Sequence, residues 1–392
     1  MTADTSSIHS TRERPAAPHA GAGATSAFTD LARIVKDAGL MRRRYGYYWT
    51  KLISVPIAYA AAIAVFIWIG DTWWQMFTAV GFAVLFTQTA FLGHDAAHRQ
   101  IFRSGRWNDW TSLILGGFVG MSYGWWQHKH TRHHANPNQI GVDPDLDLPV
   151  VAFTPEQAAR ERAAFIRWLI GHQGLFFFPI LLLEGLSLHA SSVRRAFARD
   201  PLPHRPVEIA MLAVRIVGFL ALVFLVLSPG KAAVFLAIQL GLFGVYMGMS
   251  FAPNHKGMPQ VPKGVRLDFL SRQVLMSRNI RGNRVLDVVM GGLNYQIEHH
   301  LFPSMPRPHL RRAAPLIRDY CRDRGVAYTQ TGLVESYVIV FNYINRVGLG
   351  ERDPFECPLV LARASITAAE SARVSPSAAC GKPRLRGDRA DE

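Results

Sequence analysis

The sequence predicts an all-α integral membrane protein with four transmembrane helices in two hairpins and a cytoplasmic helical cap that carries clustered histidines. Two observations lead to this fold class. Hydrophobic residues make up 49% of the 392 residues and charged residues only 18%, which is below the usual share of about a quarter in soluble domains. The apolar residues also form four runs long enough to cross a bilayer, which takes about 20 residues. These runs are 52–70, 75–93, 207–228 and 232–252.

Each pair of runs is joined by a very short connection, DTWW at 71–74 and PGK at 229–231. Each pair therefore predicts a tight transmembrane hairpin. Trp73 and Trp74 are expected at the membrane–water boundary, where tryptophan is favoured. Buried helices of a large soluble core are the alternative, but four long runs interrupted in their interior only by Arg215, with Glu208 at the edge of the same run, disfavour it.

The basic residues predict the orientation of the spans. Lysines and arginines crowd the segment before the first run and the segment between the hairpins, whereas the two short turns hold one, Lys231. The positive-inside rule then places both termini and the segments 94–206 and 253–362 in the cytoplasm, in a multi-pass protein of the cell membrane. The formal net charge of +15 suits membrane lipid, and nucleic acid is excluded because no nucleic-acid-binding motif is present.

Two further apolar runs, 111–124 and 175–188, are too short to span and are expected as interfacial or re-entrant helices. The ends of the chain, 1–27 and 363–392, are rich in small and polar residues and predict disordered tails. The region between them, 28–362, is expected to be one membrane domain. The three cysteines are far apart, which predicts unpaired thiols in a reducing compartment.

Histidines recur in three patterned segments next to the predicted spans, and His255 closely follows the fourth. The patterned residues are His94 and His98; His130, His133 and His134; and Gln296, His299 and His300. Residues at i, i+3 and i+4 share one face of a helix, so each segment offers its side chains to a common centre. All of these segments reach the cytoplasmic face only if neither 111–124 nor 175–188 crosses the membrane.

Eight histidines exceed the four ligands of one tetrahedral zinc ion and suit two metal ions. Neutral imidazole binds iron, zinc, copper and nickel. Soluble di-iron proteins use glutamates and Glu-x-x-His pairs on bundled helices, and no Glu-x-x-His occurs in this sequence. A histidine-rich di-iron site at the membrane face is the alternative that remains.

The three patterns H-x-x-x-H, H-x-x-H-H and Q-x-x-H-H, with the flanking words GHDAAH, NYQIEHHLFP and PNHKGMP, resemble those of membrane fatty acid desaturases. The resemblance covers roughly Gly46 to Gly348, and the glutamine of the third pattern resembles the front-end and acyl-lipid branch. Members of that branch often carry a fused cytochrome b5 domain, whose H-P-G-G haem motif does not occur here, and 1–45 is too short to hold it.

The resemblance implies two iron ions, a fatty acyl substrate carried by CoA or a glycerolipid, and a separate electron donor such as a ferredoxin or a flavin-containing reductase. It also implies the metal ligands, namely His94, His98, His130, His133, His134, His255, His299 and His300. His128 falls outside the H-x-x-H-H spacing and is expected at the surface or beside the site.

Several other residues near these patterns are candidates for binding metal or for orienting a ligand imidazole. They are Gln296, Asn254, Asp95, Asp145 and Glu298. Glutamine is a weak iron ligand, so direct binding, binding through water and orientation of a neighbour all stay open for Gln296. The acidic stretch DPDLD at 143–147 could supply orienting carboxylates or simply form a polar turn set by Pro144.

The function expected from these features is O₂-dependent desaturation of a fatty acyl chain. The hard step, removal of hydrogen from an unactivated methylene, belongs to the cofactor, and no separate catalytic side chain is expected. A related membrane di-iron hydroxylase, ketolase or hydrocarbon monooxygenase is the nearest alternative. A membrane metal transporter or sensor is the non-enzymatic alternative, but it needs polar ligands along a path within the spans.

Overall fold

The computed structural model describes residues 26–148, 151–160 and 163–350. In this part of the chain the structure is helical apart from two short strands. The helices are α1 (Ala27–Asp37), α2 (Tyr45–Ile69), α3 (Gln75–Ala97), α4 (Gly105–Val119), α5 (Tyr123–Ala135), α6 (Pro155–Ala158), α7 (Ala164–Gly171), α8 (Gln173–Ile180), α9 (Glu184–Phe197), α10 (Arg205–Val226), α11 (Pro229–His255), α12 (Phe269–Leu275), α13 (Arg284–Val289), α14 (Gln296–Leu301), α15 (Arg307–Asp323) and α16 (Leu333–Gly348).

Two 3-10 turns, Pro144–Leu146 and Leu181–Leu183, interrupt this succession. The strands β1 (Asn279–Arg281) and β2 (Gln330–Gly332) pair in parallel, with Ile280 opposite Thr331. The predicted tails lie almost entirely outside the described residues, although α1 already begins at Ala27 with Ser26 as its N-cap. The all-α prediction therefore holds for the described chain except for this small sheet.

Five helical segments are long and apolar enough to cross a membrane. They are Tyr45–Ile69, Gln75–Ala97, Gln173–Phe197, Arg205–Val226 and Pro229–His255. Four of them cover the predicted spans except for one or two residues at an end, and the fifth extends the run predicted at 175–188 through α8, a 3-10 turn and α9. Five such segments make the chain a membrane protein.

The two hairpin turns lie side by side at one end of the bundle. Asp71, between α2 and α3, accepts hydrogen bonds from the Ser228 backbone N–H (2.9 Å) and hydroxyl (3.1 Å) at the start of α11. Its carboxylate also pairs with Lys231 at 3.1 Å. Trp73 and Trp74 are exposed beside this turn, as expected for interfacial tryptophans.

An aromatic core holds α2, α3, α10 and α11 together. Phe66, Phe82, Phe86 and Phe235 are fully buried and contact one another edge to face or tilted. The outward faces are apolar as well, and Leu225 on α10 is 84% exposed. A helix that is apolar on all sides is typical of a lipid environment.

Close packing also joins α11 to the 3-10 turn before α9. A Cβ atom added at Gly244 would lie 2.4 Å from the carbonyl oxygen of Leu181, so only glycine allows the two backbones to approach this closely. On the other side of the bundle, the Ser112 hydroxyl of α4 donates to the Gly93 carbonyl of α3 at 2.9 Å. These contacts fix the last turns of α3 and α11 next to the remaining helices.

Candidate metal centre

The patterned histidines lie on the last turns of two long helices and on two shorter helices. His94 lies on the last turn of α3 and His98 directly follows it, whereas His255 ends α11. The histidines of the second pattern lie on α5, and those of the third on α14. The start of α5 is fixed by the carboxylate of Glu208 on α10, which accepts from the Ser122 hydroxyl and from the Gly124 backbone N–H (2.9 Å).

Five histidines from three segments form a first group. Their ligand nitrogens all lie within 4.8 Å of one another, and the members are His94, His98, His130, His134 and His299. The Nε2 atoms of His130 and His98 are 2.9 Å apart, and those of His134 and His130 are 3.0 Å apart. Neutral nitrogens that converge in this way offer several lone pairs to one small volume.

Three histidines form a second group beside the first, namely His133, His255 and His300. The Nε2 atoms of His133 and His255 are 3.3 Å apart, and the Gln296 amide lies 2.9 Å from Nε2 of His255. The rings of His134 and His300 stack at 4.2 Å between centroids, which connects the two groups. The structure thus brings together all eight histidines that the sequence selected.

Each imidazole of the second group is oriented through its Nδ1 atom. Nδ1 of His133 lies 3.0 Å from the Asp143 carboxylate, and Nδ1 of His255 lies 2.9 Å from the Met276 carbonyl oxygen. Nδ1 of His300 lies 3.0 Å from Oε1 of Gln273. Such partners fix the tautomer that leaves Nε2 unprotonated, as is usual for histidines that bind metal.

The protein environment keeps most of these imidazoles neutral. Burial lowers the pKa of His98, His130 and His134 well below the usual value, and the positive charges of neighbouring histidines would lower it further. The pKa values of His299 and His300 are lowered for the same reasons. His133 is the exception, because the charges of Asp143 and Asp145 outweigh its burial and raise its pKa. A neutral ring is the form that binds a metal ion.

The donor set fits metal ions on chemical grounds. The Nε2 atoms of His94, His299 and His300 are buried and have no hydrogen-bond partner in the described chain. Buried polar atoms are almost always paired, and an unpaired one calls for an explanation such as an ion. An all-imidazole set with carboxylate and carbonyl partners on the outer nitrogens suits a transition metal such as iron or zinc.

The residues that the sequence offers as further candidates for binding metal or orienting an imidazole differ in their distance from the histidine groups. Gln296 lies between His255 and Asn254, whose Nδ2 donates to Oε1 of Gln296 at 3.2 Å. Asp145 is 3.4 Å from Nδ1 of His133 but pairs more closely with Lys129, at 2.9 Å. Both Gln296 and Asp145 therefore adjoin the second group.

Asp95 and Glu298 point away from the convergent nitrogens. Asp95 forms a buried ion pair with Arg307 at 2.7 Å, and its other oxygen is 3.8 Å from His94. Glu298 accepts from Asn279 and from the Tyr328 hydroxyl, both at 2.7 Å, and burial raises its pKa to about 6. Glu298 thus supports α14 from behind. His128 is exposed and belongs to neither group, as its spacing predicts.

A cavity of about 180 Å³ adjoins the second histidine group. Its walls combine aromatic and aliphatic side chains, including Trp125, Phe177 and Phe251, with polar groups near the histidines. Lys129 and Lys256 lie among these polar groups, and the Lys256 ammonium stacks on Phe153 at 4.0 Å. An apolar pocket with a few convergent polar groups is the usual form of a small-molecule site.

Residues 71–332, a segment that contains every histidine of both groups, match the fatty acid desaturase family. The chain belongs to the fatty acid desaturase family. The match confirms the resemblance drawn from the histidine spacing and makes the chain an oxidoreductase of the desaturase class.

Curated relatives of this desaturase include plant and animal proteins. It is similar to the acyl-lipid (9-3)-desaturase of Physcomitrium patens, with 32% identity over 329 residues that cover 82% of the chain and 62% of that protein. It is also 30% identical to the Delta(6)-fatty-acid desaturase fat-3 of Caenorhabditis elegans, over 80% of the chain and 72% of that protein. A Delta(8)-fatty-acid desaturase of Helianthus annuus is 25% identical over 83% of the chain and 74% of that protein. The chain therefore covers less than two thirds of the length of the Physcomitrium patens protein.

Proposed function

We propose that this desaturase removes two hydrogens from neighbouring carbons of a fatty acyl chain, with O₂ as the oxidant and two iron ions as the cofactor. The observation that carries the proposal is the meeting of two histidine groups beside a largely apolar cavity. The acyl chain supplies two electrons and a donor supplies two more, together with two protons, so that O₂ leaves as two molecules of water.

The first iron is proposed to bind among the five histidines of the first group, and the second among His133, His255 and His300. Gln296 is proposed to contribute an oxygen or a bound water to the second iron, because it lies beside His255. Two reduced iron ions supply the O₂ activation that breaks an unactivated C–H bond, which no side chain of the protein can do.

The residues around the irons are proposed to position and protect. Asp143, Gln273 and the Met276 carbonyl hold the rings of the second group in the metal-binding tautomer. The apolar wall of the adjoining cavity holds the acyl chain against the histidines and excludes water. Acyl-CoA and acyl-lipid substrates both fit this arrangement, since either would present the same chain to the cavity.

The four-span topology with two hairpins is part of the proposal. The turns at Asp71 and Ser228 meet at one end of the bundle, and His94 and His255 meet at the other. Leu181 and Leu188 of the segment Gln173–Phe197 line the cavity at the second histidine group, and Glu208, beyond the end of this segment, holds the start of α5. We infer that the segment leaves from and returns to the histidine end and does not cross the bilayer.

The positive-inside rule supports a cytoplasmic histidine end, with both termini on that side of the cell membrane. The membrane domain is proposed to extend over 28–362. The electron donor is proposed to be a separate protein such as a ferredoxin or a flavin-containing reductase. Reconstitution of the purified protein with each candidate donor, read as product per electron delivered, tests this part of the proposal.

Product analysis tests the reaction itself. The chain is expressed in a host that lacks the activity, and the fatty acids are analysed by mass spectrometry. We expect an acyl product two hydrogens lighter than its precursor, and no such product from a His133→Ala variant. An acyl product heavier by one oxygen would favour a hydroxylase instead, and unchanged lipids with one exchangeable zinc per chain would favour a metal transporter or sensor.

A further inference from the structure

A second cavity, separate from the one beside the histidines, contains the one charge that lies deep within the apolar runs. It measures about 460 Å³ and lies among α2, α3, α4 and α10. Phe82, Gly117 and Leu222 are among its lining residues, and none of its lining residues lines the cavity at the second histidine group. The charge is Arg215, on the middle of α10.

The guanidinium of Arg215 is held in place on three sides. It stacks on the rings of Phe86 and Phe219, at 4.1 and 4.3 Å from their centroids. Its Nε donates to the carbonyl oxygen of Phe118 at 3.0 Å, which satisfies one of the free carbonyls at the end of α4. These contacts fix the plane of the fork and so the direction in which its remaining donors point.

Of the two terminal nitrogens, Nη2 is shielded from solvent and has no hydrogen-bond partner among the described residues. None of the side chains that line the cavity in the described chain is acidic. An unpaired buried charge is costly, and a basic residue inside a membrane span generally marks a functional site. Among the described residues Nη2 is thus free to bind an anion from another molecule that can enter an apolar cavity.

The depth of Arg215 selects among lipid anions. It lies ten residues after Arg205, the first residue of α10, which is about 15 Å along the helix and half of a bilayer core of about 30 Å. A phospholipid phosphate stays at the surface and would not reach it. The carboxylate of a single-chain fatty acid can reach it, and a guanidinium binds a carboxylate through two parallel hydrogen bonds.

We propose that this cavity binds a free long-chain fatty acid, whose carboxylate pairs with Arg215 and whose chain lies among the aromatic side chains of α2, α3 and α10. The site opens towards the lipid, since Val214 at its rim is 75% exposed. It is a second lipid site, distinct from the cavity next to the histidines, and it needs neither metal nor turnover.

Photocrosslinking to the purified full-length protein tests the proposal. The probe is a long-chain fatty acid with a diazirine at the end of its chain, and the labelled peptides are mapped by mass spectrometry. We expect labelling of peptides from α2, α3 or α10. An excess of the unmodified fatty acid should remove it, whereas its methyl ester or phosphatidylglycerol should not.

Two variants act on different parts of the site. Arg215→Met removes the cation, and Gly218→Leu fills the cavity while Arg215 stays, because a Cβ atom at Gly218 meets nothing within 4 Å. Arg215→Met should lower the labelling by about tenfold, the usual effect of losing one charge-assisted hydrogen bond. Gly218→Leu should also lower it, because the acyl chain loses its space in the cavity. Gly81→Leu, at an equally open glycine of α3 outside the cavity, is the matched control and should leave the labelling unchanged.

Equal labelling of the wild type and of Gly218→Leu would overturn the proposal, even if Arg215→Met fails to fold. Competition by the methyl ester as strong as by the acid would show that the carboxylate is not recognised and would also overturn it. Competition by phosphatidylglycerol alone would assign the cavity to a phospholipid. Because the readout is labelling, loss of desaturation and loss of this site remain distinguishable.

Discussion

At one end of the helical bundle α3 and α11 run on into a buried cluster of histidines, whereas at the other end the chain turns within a few residues. The histidine end is covered by α5, α12 and α14, and its polar atoms are joined by a dense set of hydrogen bonds. The turn end has two exposed tryptophans and one ion pair, Asp71 with Lys231. The polar groups that need precise placement thus lie where additional helices cover the end of the bundle.

The difference implies that equivalent substitutions have unequal effects at the two ends. A buried donor or acceptor without its partner loses the full desolvation free energy, whereas an exposed one exchanges its partner for water. Within the histidine end the second group has only three histidines, and the first has five. A lost ligand should therefore matter most in the second group.

The largest effect is expected from His300→Ala. This change removes one of the three imidazoles of the second group. It also leaves Oε1 of Gln273 without the Nδ1–H of His300 as its donor. Iron should fall from about two to about one per chain, and product formation should fall by more than about 100-fold, beyond the range seen when only an orienting partner is lost. Elemental analysis and fatty acid analysis measure the two quantities.

His128→Ala is the matched control, because His128 lies on the same α5 helix as three histidines of the two groups but is exposed and outside both groups. It should retain the wild-type iron content and activity. If His128→Ala lowered iron as much as His300→Ala, the assignment of the two groups would be wrong.

Helical spacing was sufficient to select seven of the eight histidines, because it brings i, i+3 and i+4 together whatever the fold around them. His255 was selected by its place after the fourth predicted span and by the resemblance. The same spacing shows why Glu298 turns away: it lies two residues after Gln296 and so faces the opposite side of α14. Gln273 could not be predicted, since it lies on α12 in no recognisable motif and reaches His300 only through tertiary packing.

The long apolar helices were also predicted from the sequence, but their ends and the length of one segment were not. Long uncharged runs identified α2, α3, α10 and α11, although α3 and α11 continue to Ala97 and His255. The length of the segment Gln173–Phe197 was underestimated, because Glu184 and His189 interrupt its apolar run while its helical backbone continues. Hydropathy detects apolar runs, but it does not detect a helix that continues through polar residues such as Glu184 and His189.

A smaller effect, still at the histidine end, is expected from Asp143→Asn. Asp143 is the carboxylate that orients His133, and an amide in its place can present a donor to Nδ1 and favour the wrong tautomer. Activity should fall by about 10- to 100-fold, the usual range for such partners. The effect is measured as the reaction rate at saturating substrate, and the iron content of the same sample is determined alongside it.

Asp145→Asn provides the comparison within the same turn. Asp145 is more exposed, lies 3.4 Å from His133 and already pairs with Lys129. Its loss should therefore reduce the activity less than the loss of Asp143. The reverse order would mean that Asp145 rather than Asp143 orients His133.

The smallest effect is expected at the turn end, from Asp71→Asn. Hydrogen bonds from Ser228 and the nearby Lys231 lower the pKa of Asp71 below its usual value. A carboxyl group whose pKa is lowered by folding contributes stability above its unfolded pKa and loses that contribution as the pH falls through the folded pKa. Because the pair is exposed, the variant should lower Tm at neutral pH by at most about 2 °C. The difference should shrink as the pH falls below the usual aspartate pKa of about 3.9 and vanish below the lowered pKa of the folded state. Iron content and activity should stay at the wild-type level. Thermal unfolding of both proteins in detergent across this pH range measures the difference, and a loss of iron would show that the two ends are coupled.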